Sequence, residues 1–243
     1  MRAARSKRGR MSAIVGVAGE LMITAGVLLG LYVVWQLWWT DVEARAVAEE
    51  AVQEWTASDD VVQAPSQLGQ ERTDPPPIPD AVEHGELLGT MHIPRFGPGY
   101  QVPIAHGTSP VGVLDQGHIG HYEQTQLPGE VGNFATAAHR QSYGAPYREI
   151  EQIVHGDELI VETADAYIVY EVVGDEIVHP SQVEVIAPVP GHPGQVPEKR
   201  MITLTTCHPL YSAAQRWITY GEFAYWVDKA DGKPAALVDE GGA

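Results

Sequence analysis

The chain has 243 residues, enough for one domain of ordinary size with further segments at its ends. Its 32 acidic residues outnumber 15 basic ones, and five of the basic residues lie within the first ten positions. Because the remainder is strongly acidic and repels phosphate backbones, the composition argues against nucleic acid as a partner. The single cysteine excludes an internal disulfide and a four-thiolate metal site.

Residues 13–39 are predicted to anchor the chain in a membrane. The stretch from Leu21 to Trp39 has only two polar members, and its length matches a hydrocarbon core of ~30 Å. It is too long for a cleaved signal peptide, and no small-residue cleavage site follows it. The basic tail over residues 1–12 predicts a cytoplasmic N-terminus, with everything from residue 40 onward outside the cytoplasmic membrane.

Four further regions follow the predicted anchor. Residues 40–55 have alanine and glutamate at helical density, which predicts a juxtamembrane helix or stalk. Residues 56–84 are rich in proline and poor in large apolar side chains, which is typical of a semi-extended linker. Residues 85–228 read as the folded domain, and residues 229–243 are predicted to be a disordered tail.

The folded domain is predicted to be mainly β. Short runs rich in β-branched and aromatic residues are punctuated by glycine and proline, and helices are few, the clearest candidate lying around Pro146–Ile153. Many short strands in one domain predict a closed barrel or a sandwich. The predicted strands are ELLGTMHIP, YQVPI, GNFATAA, DELIVET, AYIVYEVV, RMITLTTC and WITYGEFAYWV.

Cys207 stands where a nucleophile would be accessible. It ends the apolar run that begins at Met201, and the following His208-Pro209 stops the strand at the rim of the sheet. Arg216 opens the next predicted strand, so an antiparallel pairing would bring it close to Cys207. A guanidinium there favours the thiolate and can donate to a developing oxyanion. A lone cysteine is otherwise usually a small buried hydrophobe.

Ten histidines compete for the role of proton-transfer partner. His139 has the best context, because it follows the predicted strand GNFATAA, and His208 ranks second because it adjoins the cysteine in sequence. Chemistry alone leaves both open.

The motifs around these residues resemble those of the sortase family. TLTTC followed nine residues later by Arg216 resembles the sortase signature, and GNFATAAHR resembles the strand that ends in the sortase histidine. The longer segment GHYEQTQLPGEVGNFATAAHRQSYGAPYREI resembles class E sortases of actinobacteria. The resemblance implies an eight-stranded β-barrel with one or two short helices, behind a single transmembrane helix. It also implies that Cys207 is the nucleophile, His139 the proton-transfer partner and Arg216 the oxyanion stabiliser.

The same resemblance implies a reaction and its partners. Secreted proteins carrying a C-terminal LAxTG-like or LPxTG-like sorting signal would be cleaved between Thr and Gly through a Cys thioacyl intermediate. They would then pass to lipid II or another amine acceptor. Tyr122, Thr206 and Ala138 are predicted to contact the substrate, and the proline-rich loop 179–200 to line its groove. No cofactor or metal is predicted, and calcium dependence stays open.

Other functions remain as alternatives. A hydrolytic cysteine peptidase or wall-remodelling enzyme usually places its cysteine before its histidine, which is not the order here. An L,D-transpeptidase expects a Ser-His-Gly-Cys-x-Arg block, which Cys207 does not occupy. Pilin polymerisation is disfavoured because DPPPIPD lacks the aromatic residue of a lid. A non-enzymatic anchored β-domain would have no need of the cysteine.

Overall fold

The structure, a computed structural model, describes residues 2–238, with side chains from Ile14 onward apart from that of Leu37. The chain divides into two compact units, one up to Thr40 and one from Asp41. Its elements are one α-helix, α1 (Arg2–Thr56), and eight strands: β1 (Leu87–His92), β2 (Gln101–His106), β3 (Ile119–His121), β4 (Gly132–Ala137), β5 (Glu158–Glu162), β6 (Ala166–Val178), β7 (Arg200–His208) and β8 (Gln215–Asp228).

Between Ile14 and Trp39, α1 is largely apolar around its whole circumference. Large side chains such as Leu21, Leu28 and Trp35 are exposed, and few polar residues interrupt them. By length and composition the helix can cross a membrane, so it is a candidate anchor. The side chains of the basic tail lie outside the described residues.

The eight strands close into one barrel in the order β1-β2-β3-β4-β7-β8-β6-β5. The pairs β2–β3 and β4–β7 are parallel, and the other pairs are antiparallel. Alternate side chains of the strands fill the interior, where Phe134, Tyr170, Ile202 and Leu204 are almost completely buried. The predicted eight-stranded barrel is confirmed.

Two local predictions differ from the structure. β3 was not among the predicted strands, because it has only three residues and glycines surround it in the sequence. The predicted helix around Pro146–Ile153 is a series of turns that contains one 3-10 turn, Ile150–Gln152. Proline at its start and the burial of Ile150 and Ile153 in the core fix this segment by packing rather than by helical hydrogen bonds.

The last turns of α1, from Asp41, pack on the barrel. Ala44 and Ala48 are buried, and a Cβ added to Gly117 would lie 2.7 Å from the carbonyl oxygen of Ala44. Gly117 also has a left-handed backbone, with φ of +77°. Both the close approach to Ala44 and the positive φ therefore require glycine at this position. Asp41 adds an ion pair with Arg148 at 2.9 Å.

The expected linker and tail both lie against the barrel and against each other. Arg72 forms a backbone bridge to Trp226 and ion pairs with Asp228 and Asp231, while Leu68 pairs with Lys233. The prediction of a disordered tail is therefore wrong for residues 229–238, and residues 239–243 lie outside the described part. The cause is tertiary, because the contacts join segments about 160 positions apart.

Lys229 is the residue that fixes this end of the barrel. It is 1% exposed, and its Nζ lies 2.7 Å from Glu162 Oε1 and 5.2 Å from the centre of the Trp55 ring. His92 bonds the other carboxylate oxygen at 2.8 Å. Burial alone raises the pKa of Glu162, but the hydrogen bond with His92 and the charge of Lys229 outweigh it, and the pKa is lowered.

We expect Lys229→Met to lower the free energy of unfolding by about 3–5 kcal/mol, because it leaves a buried carboxylate without its main cationic partner. Lys199→Met is the matched control, since Lys199 pairs with Glu222 at the same 2.7 Å but in an exposed position. That change should cost less than about 1 kcal/mol. Denaturant unfolding measures both values, and equal losses would contradict the role given to Lys229.

Candidate active site

The sheet register brings Cys207, Arg216 and His139 to the ends of three neighbouring strands. Cys207 of β7 pairs directly with Arg216 of β8. β4 runs parallel to β7 with Ala137 opposite Thr205, and the Ala138 N–H donates to the Thr205 carbonyl at 3.3 Å, so His139 follows β4 at the end of the barrel where β7 reaches Cys207. Neighbouring strands lie about 4.8 Å apart, so the three residues belong to one stretch of the barrel rim.

Cys207 and Thr206 lie on opposite faces of β7 and differ in exposure. Cys207 is partly exposed, whereas Thr206 is 4% exposed and donates its hydroxyl proton to the Ala138 carbonyl at 2.7 Å. Ala138 itself is 6% exposed. Burial therefore gives the predicted substrate contacts of Thr206 and Ala138 no support. Their hydrogen bond instead fixes the spacing between the ends of β4 and β7.

Tyr122 lies on the outer face beside Cys207. Its hydroxyl is 3.1 Å from Thr205 Oγ1, two residues before Cys207 and on the same side of the strand. Thr205 already donates to the Thr136 carbonyl, so Tyr122 is the donor in this pair. The ring is partly exposed, and its hydroxyl lies two residues from Cys207 along β7.

The connection between β6 and β7 packs beside the outer faces of β4 and β7. Asn133 donates to the Ala187 carbonyl at 3.0 Å and accepts from Thr203 at 2.8 Å, which fastens the connection to both strands. Behind it, a cavity of about 570 Å³ is lined in part by Pro188 and Tyr220. Tyr220 pairs with Thr203, so the cavity lies several residues along the groove from Cys207.

Two contacts hold the imidazole of His139. Its Nε2 is 2.8 Å from Asp115 Oδ1, and the side chains are 27% and 22% exposed respectively. The ring of Tyr143 lies 5.4 Å from the imidazole centre at an interplanar angle of 31°. Tyr143, Gly144 and Ala145 all have positive φ, of 51°, 76° and 48°. Positive φ is costly for the two non-glycine residues, so surrounding contacts must hold this turn in place.

Arg140 supports the strand end from inside. It is 2% exposed, its Nη1 lies 2.9 Å from His208 Nδ1 and 3.3 Å from the Cys207 carbonyl, and its Nη2 pairs with Glu151 at 2.6 Å. Because Arg140 can only donate, His208 accepts the hydrogen bond at Nδ1. As the next residue of β7, His208 points to the opposite face of the strand from Cys207. This geometry favours His139 over His208 as the partner of the thiol.

Arg216 is held by the loop that precedes it. Its Nη1 donates to the carbonyls of Ala213 and Gln215 at 3.0 and 2.9 Å. These bonds use one nitrogen of the fork, so the Nε–H and the Nη2–H groups remain for an anion beside Cys207.

A histidine pair lies beside Tyr122. His121 is fully buried, and its Nε2–H donates to the Gln126 carbonyl at 3.0 Å, so its Nδ1 accepts from His106 Nδ1 at 3.0 Å. Burial lowers the pKa of His121 to about 4, with a further lowering contribution from His106.

The lowered pKa predicts a dependence of stability on pH. Between pH 6.5 and 4, the folded state binds fewer protons at His121 than the unfolded state does. His121 therefore contributes about 3 kcal/mol to the free energy of unfolding above pH 6.5, and this contribution is lost as the pH falls towards 4. We expect His121→Asn to reduce this loss, measured as the free energy of unfolding across that range. His192→Asn, at an exposed loop position, should keep the wild-type slope. An unchanged slope in His121→Asn would contradict the assignment.

Sequence reasoning missed three residues of this site. Asp115 lies in a segment with no motif around it, and Tyr143 lies within the longer segment that resembles class E sortases but had no role assigned to it. Tertiary packing brings both to His139. Arg140 carried one available signal, because it directly follows the candidate histidine in GNFATAAHR.

Comparisons with known proteins identify the family of this chain. A family described as Sortase domain matches residues 91–224. Sortase SrtE1 of Streptomyces coelicolor is 37% identical over 244 residues, which cover 98% of this chain and 65% of that relative.

Solved structures show the same fold. SrtA sortase from Actinomyces oris is 44% identical with a TM-score of 0.67, over 72% of this chain and 99% of that one. Sortase E1 from Streptomyces coelicolor, solved with a tripeptide in its active site, is 38% identical with a TM-score of 0.59, over 65% of this chain and all of that one.

Proposed function

The chain belongs to the sortase family, and on that premise we propose that it cleaves a C-terminal sorting signal and transfers the protein to an amine. Cys207, His139 and Arg216 carry the reaction in this proposal. The observation that supports it most is the strand register, in which Cys207 of β7 pairs with Arg216 of β8 while His139 follows β4, the parallel neighbour of β7.

The first half of the proposed reaction forms a thioacyl enzyme. The Cys207 thiolate attacks the carbonyl carbon of the signal threonine, and the negative charge moves to the carbonyl oxygen beside Arg216. His139, as imidazolium, gives its proton to the glycine nitrogen as the Thr–Gly bond breaks. The products are a Cys207 thioester and a released peptide with a free amino terminus.

The second half regenerates the enzyme. The amine of an acceptor attacks the thioester, His139 takes the excess proton, and Cys207 leaves as thiolate. The acceptor is thereby joined to the threonine through a new amide bond. Lipid II is the proposed acceptor, in line with an enzyme held at the membrane surface.

The proposed signal is LAxTG-like, with LPxTG-like as the other possibility. The 37% identity to sortase SrtE1 and the placement of Tyr122 two residues along β7 from Cys207 support the first. An aromatic ring at that distance from the nucleophile can contact a side chain that precedes the scissile bond.

We further propose that the apolar part of α1 holds the enzyme in the cytoplasmic membrane with its N-terminus inside. The length and composition of the helix support the anchor, and the cluster of basic residues before it supports the orientation. Substrates would then be secreted proteins whose sorting signals reach the external surface of the cytoplasmic membrane.

The test of this function uses the full chain in detergent micelles with quenched peptides containing LAETG or LPETG. We expect cleavage between Thr and Gly, formation of a new amide bond when an amine is added, and loss of both in Cys207→Ala. The faster peptide identifies the preferred signal. Hydrolysis without transfer would indicate a peptidase, and no cleavage by folded protein would support the binding-domain alternative.

Arg216→Ala should lower kcat about 10²–10³-fold, because one oxyanion donor contributes about 3–4 kcal/mol to the transition state. Arg216→Lys should recover part of the loss, since it keeps the charge but not the fork. Arg72→Ala is the control, because Arg72 forms its ion pairs at the opposite end of β8. The measurement is kcat for peptide cleavage by each variant. A wild-type kcat in Arg216→Ala would rule out the oxyanion role.

A further inference from the structure

The imidazole of His139 has only one nitrogen free for the reaction. Its Nε2 lies 2.8 Å from Asp115 Oδ1, and a carboxylate at neutral pH can only accept a hydrogen bond. Nε2 therefore carries a proton in the neutral imidazole as well as in the charged one. The proton that moves between His139 and its reaction partners must then be the one on Nδ1.

The backbone around Asp115 holds its carboxylate in place. The Asp115 N–H donates to the Pro110 carbonyl at 2.7 Å, and the N–H groups of Val113 and Leu114 donate to Ser109 at 3.0 and 3.1 Å. Val113 is fully buried. Two residues after Asp115, Gly117 packs against the backbone of α1, so the segment is fixed on both sides.

The contacts around His139 suit orientation of the ring. Asp115 constrains the Nε2 edge, and Tyr143 lies against the ring face at 5.4 Å. Other charged or titratable groups in this region are Cys207 and Arg216, which pair across β7 and β8, Tyr143 on the ring face, and Arg140, the next residue in the chain. Asp115 is thus the group of opposite charge that bonds directly to an imidazolium, and at 22% exposure its charge is only partly screened by water.

We propose that Asp115 is a positioning residue for the reaction proposed above. It fixes the tautomer of His139 with the proton on Nε2, directs Nδ1 towards Cys207, and stabilises the imidazolium that protonates the leaving glycine nitrogen. No bond to Asp115 forms or breaks, and its carboxylate stays ionised throughout. The proposal rests on the proposed function for its catalytic consequence, but the tautomer and the effect on the thiol exist without substrate.

Three variants separate the contributions of charge and contact. Asp115→Asn keeps the size of the side chain and removes its charge, Asp115→Ala removes both, and Asp115→Glu restores the charge. Glu123→Gln is the matched control, because Glu123 is a carboxylate that bonds a different histidine, His84, at 2.9 Å. Denaturant unfolding of each variant verifies that the fold is kept.

The kinetic experiment uses the full chain in detergent micelles and the peptide that wild type cleaves faster. We expect Asp115→Asn and Asp115→Ala to lower kcat by 10- to 100-fold with KM within twofold of wild type, and Asp115→Glu to recover part of the loss. The pH–rate profile should also differ from that of wild type, because the variant lacks the carboxylate that bonds Nε2 of His139. Wild-type kcat and an unchanged pH profile in Asp115→Asn would overturn the proposal.

Two readouts without substrate separate this proposal from the proposed function. Because the chain has a single cysteine, alkylation by iodoacetamide reports the reactivity of Cys207 alone. Its pH profile should change in Asp115→Asn and in His139→Ala, but not in Glu123→Gln. Nitrogen-15 NMR of the imidazole should show the proton of neutral His139 on Nε2.

If the wild-type protein cleaves no peptide, the proposed function fails, yet these two measurements still decide the role of Asp115. A proton on Nδ1, or an alkylation profile that Asp115→Asn leaves unchanged, would overturn the positioning role even in an active transpeptidase.

Discussion

Parallel hydrogen bonding between β4 and β7 makes both strands run towards the same end of the barrel, so the residues that follow them emerge side by side. His139 follows β4 and Cys207 lies near the end of β7, and antiparallel pairing with β8 then adds Arg216. An antiparallel β4 would place the histidine at the opposite end of the sheet. The buried hydrogen bond from Thr206 to Ala138 fixes the register at the point where one slip would turn Cys207 inward.

Other residues near the rim restrict the conformation of the strand ends and of the His139 side chain through hydrogen bonds and ring contacts. Arg140 bonds the Cys207 carbonyl from within the barrel, and Asp115 and Tyr143 restrict the ring of His139. The turns of α1 from Asp41 pack against the segment that carries Asp115, through Ala44 and Gly117. A reactive side chain on a sheet rim is exposed and free to rotate, so contacts of this kind are what give it one orientation.

At the opposite end of the barrel, ion pairs join segments that are far apart in the chain. There the buried pair of Lys229 and Glu162 joins the tail to β5 and, through the ring of Trp55, to the end of α1. Arg72 joins the segment before the barrel to the residues after β8. The buried ion pair of Lys229 and Glu162 thus lies at the end of the barrel where no chemistry is proposed, and Cys207 and Arg216 lie at the other end.

The sequence by itself determined the apolar helix, most of the strands and the rank of Cys207, Arg216 and His139, because these depend on local composition, periodicity and short motifs. A hydrophobic run and an alternating strand are visible within ten to twenty residues. Only the tertiary structure decided the order of strands, the short strand β3, the packed tail and the partners Asp115, Tyr143 and Lys229. Each of these depends on contacts between residues far apart in the chain, such as Lys229 with Glu162, for which a single sequence holds no local pattern.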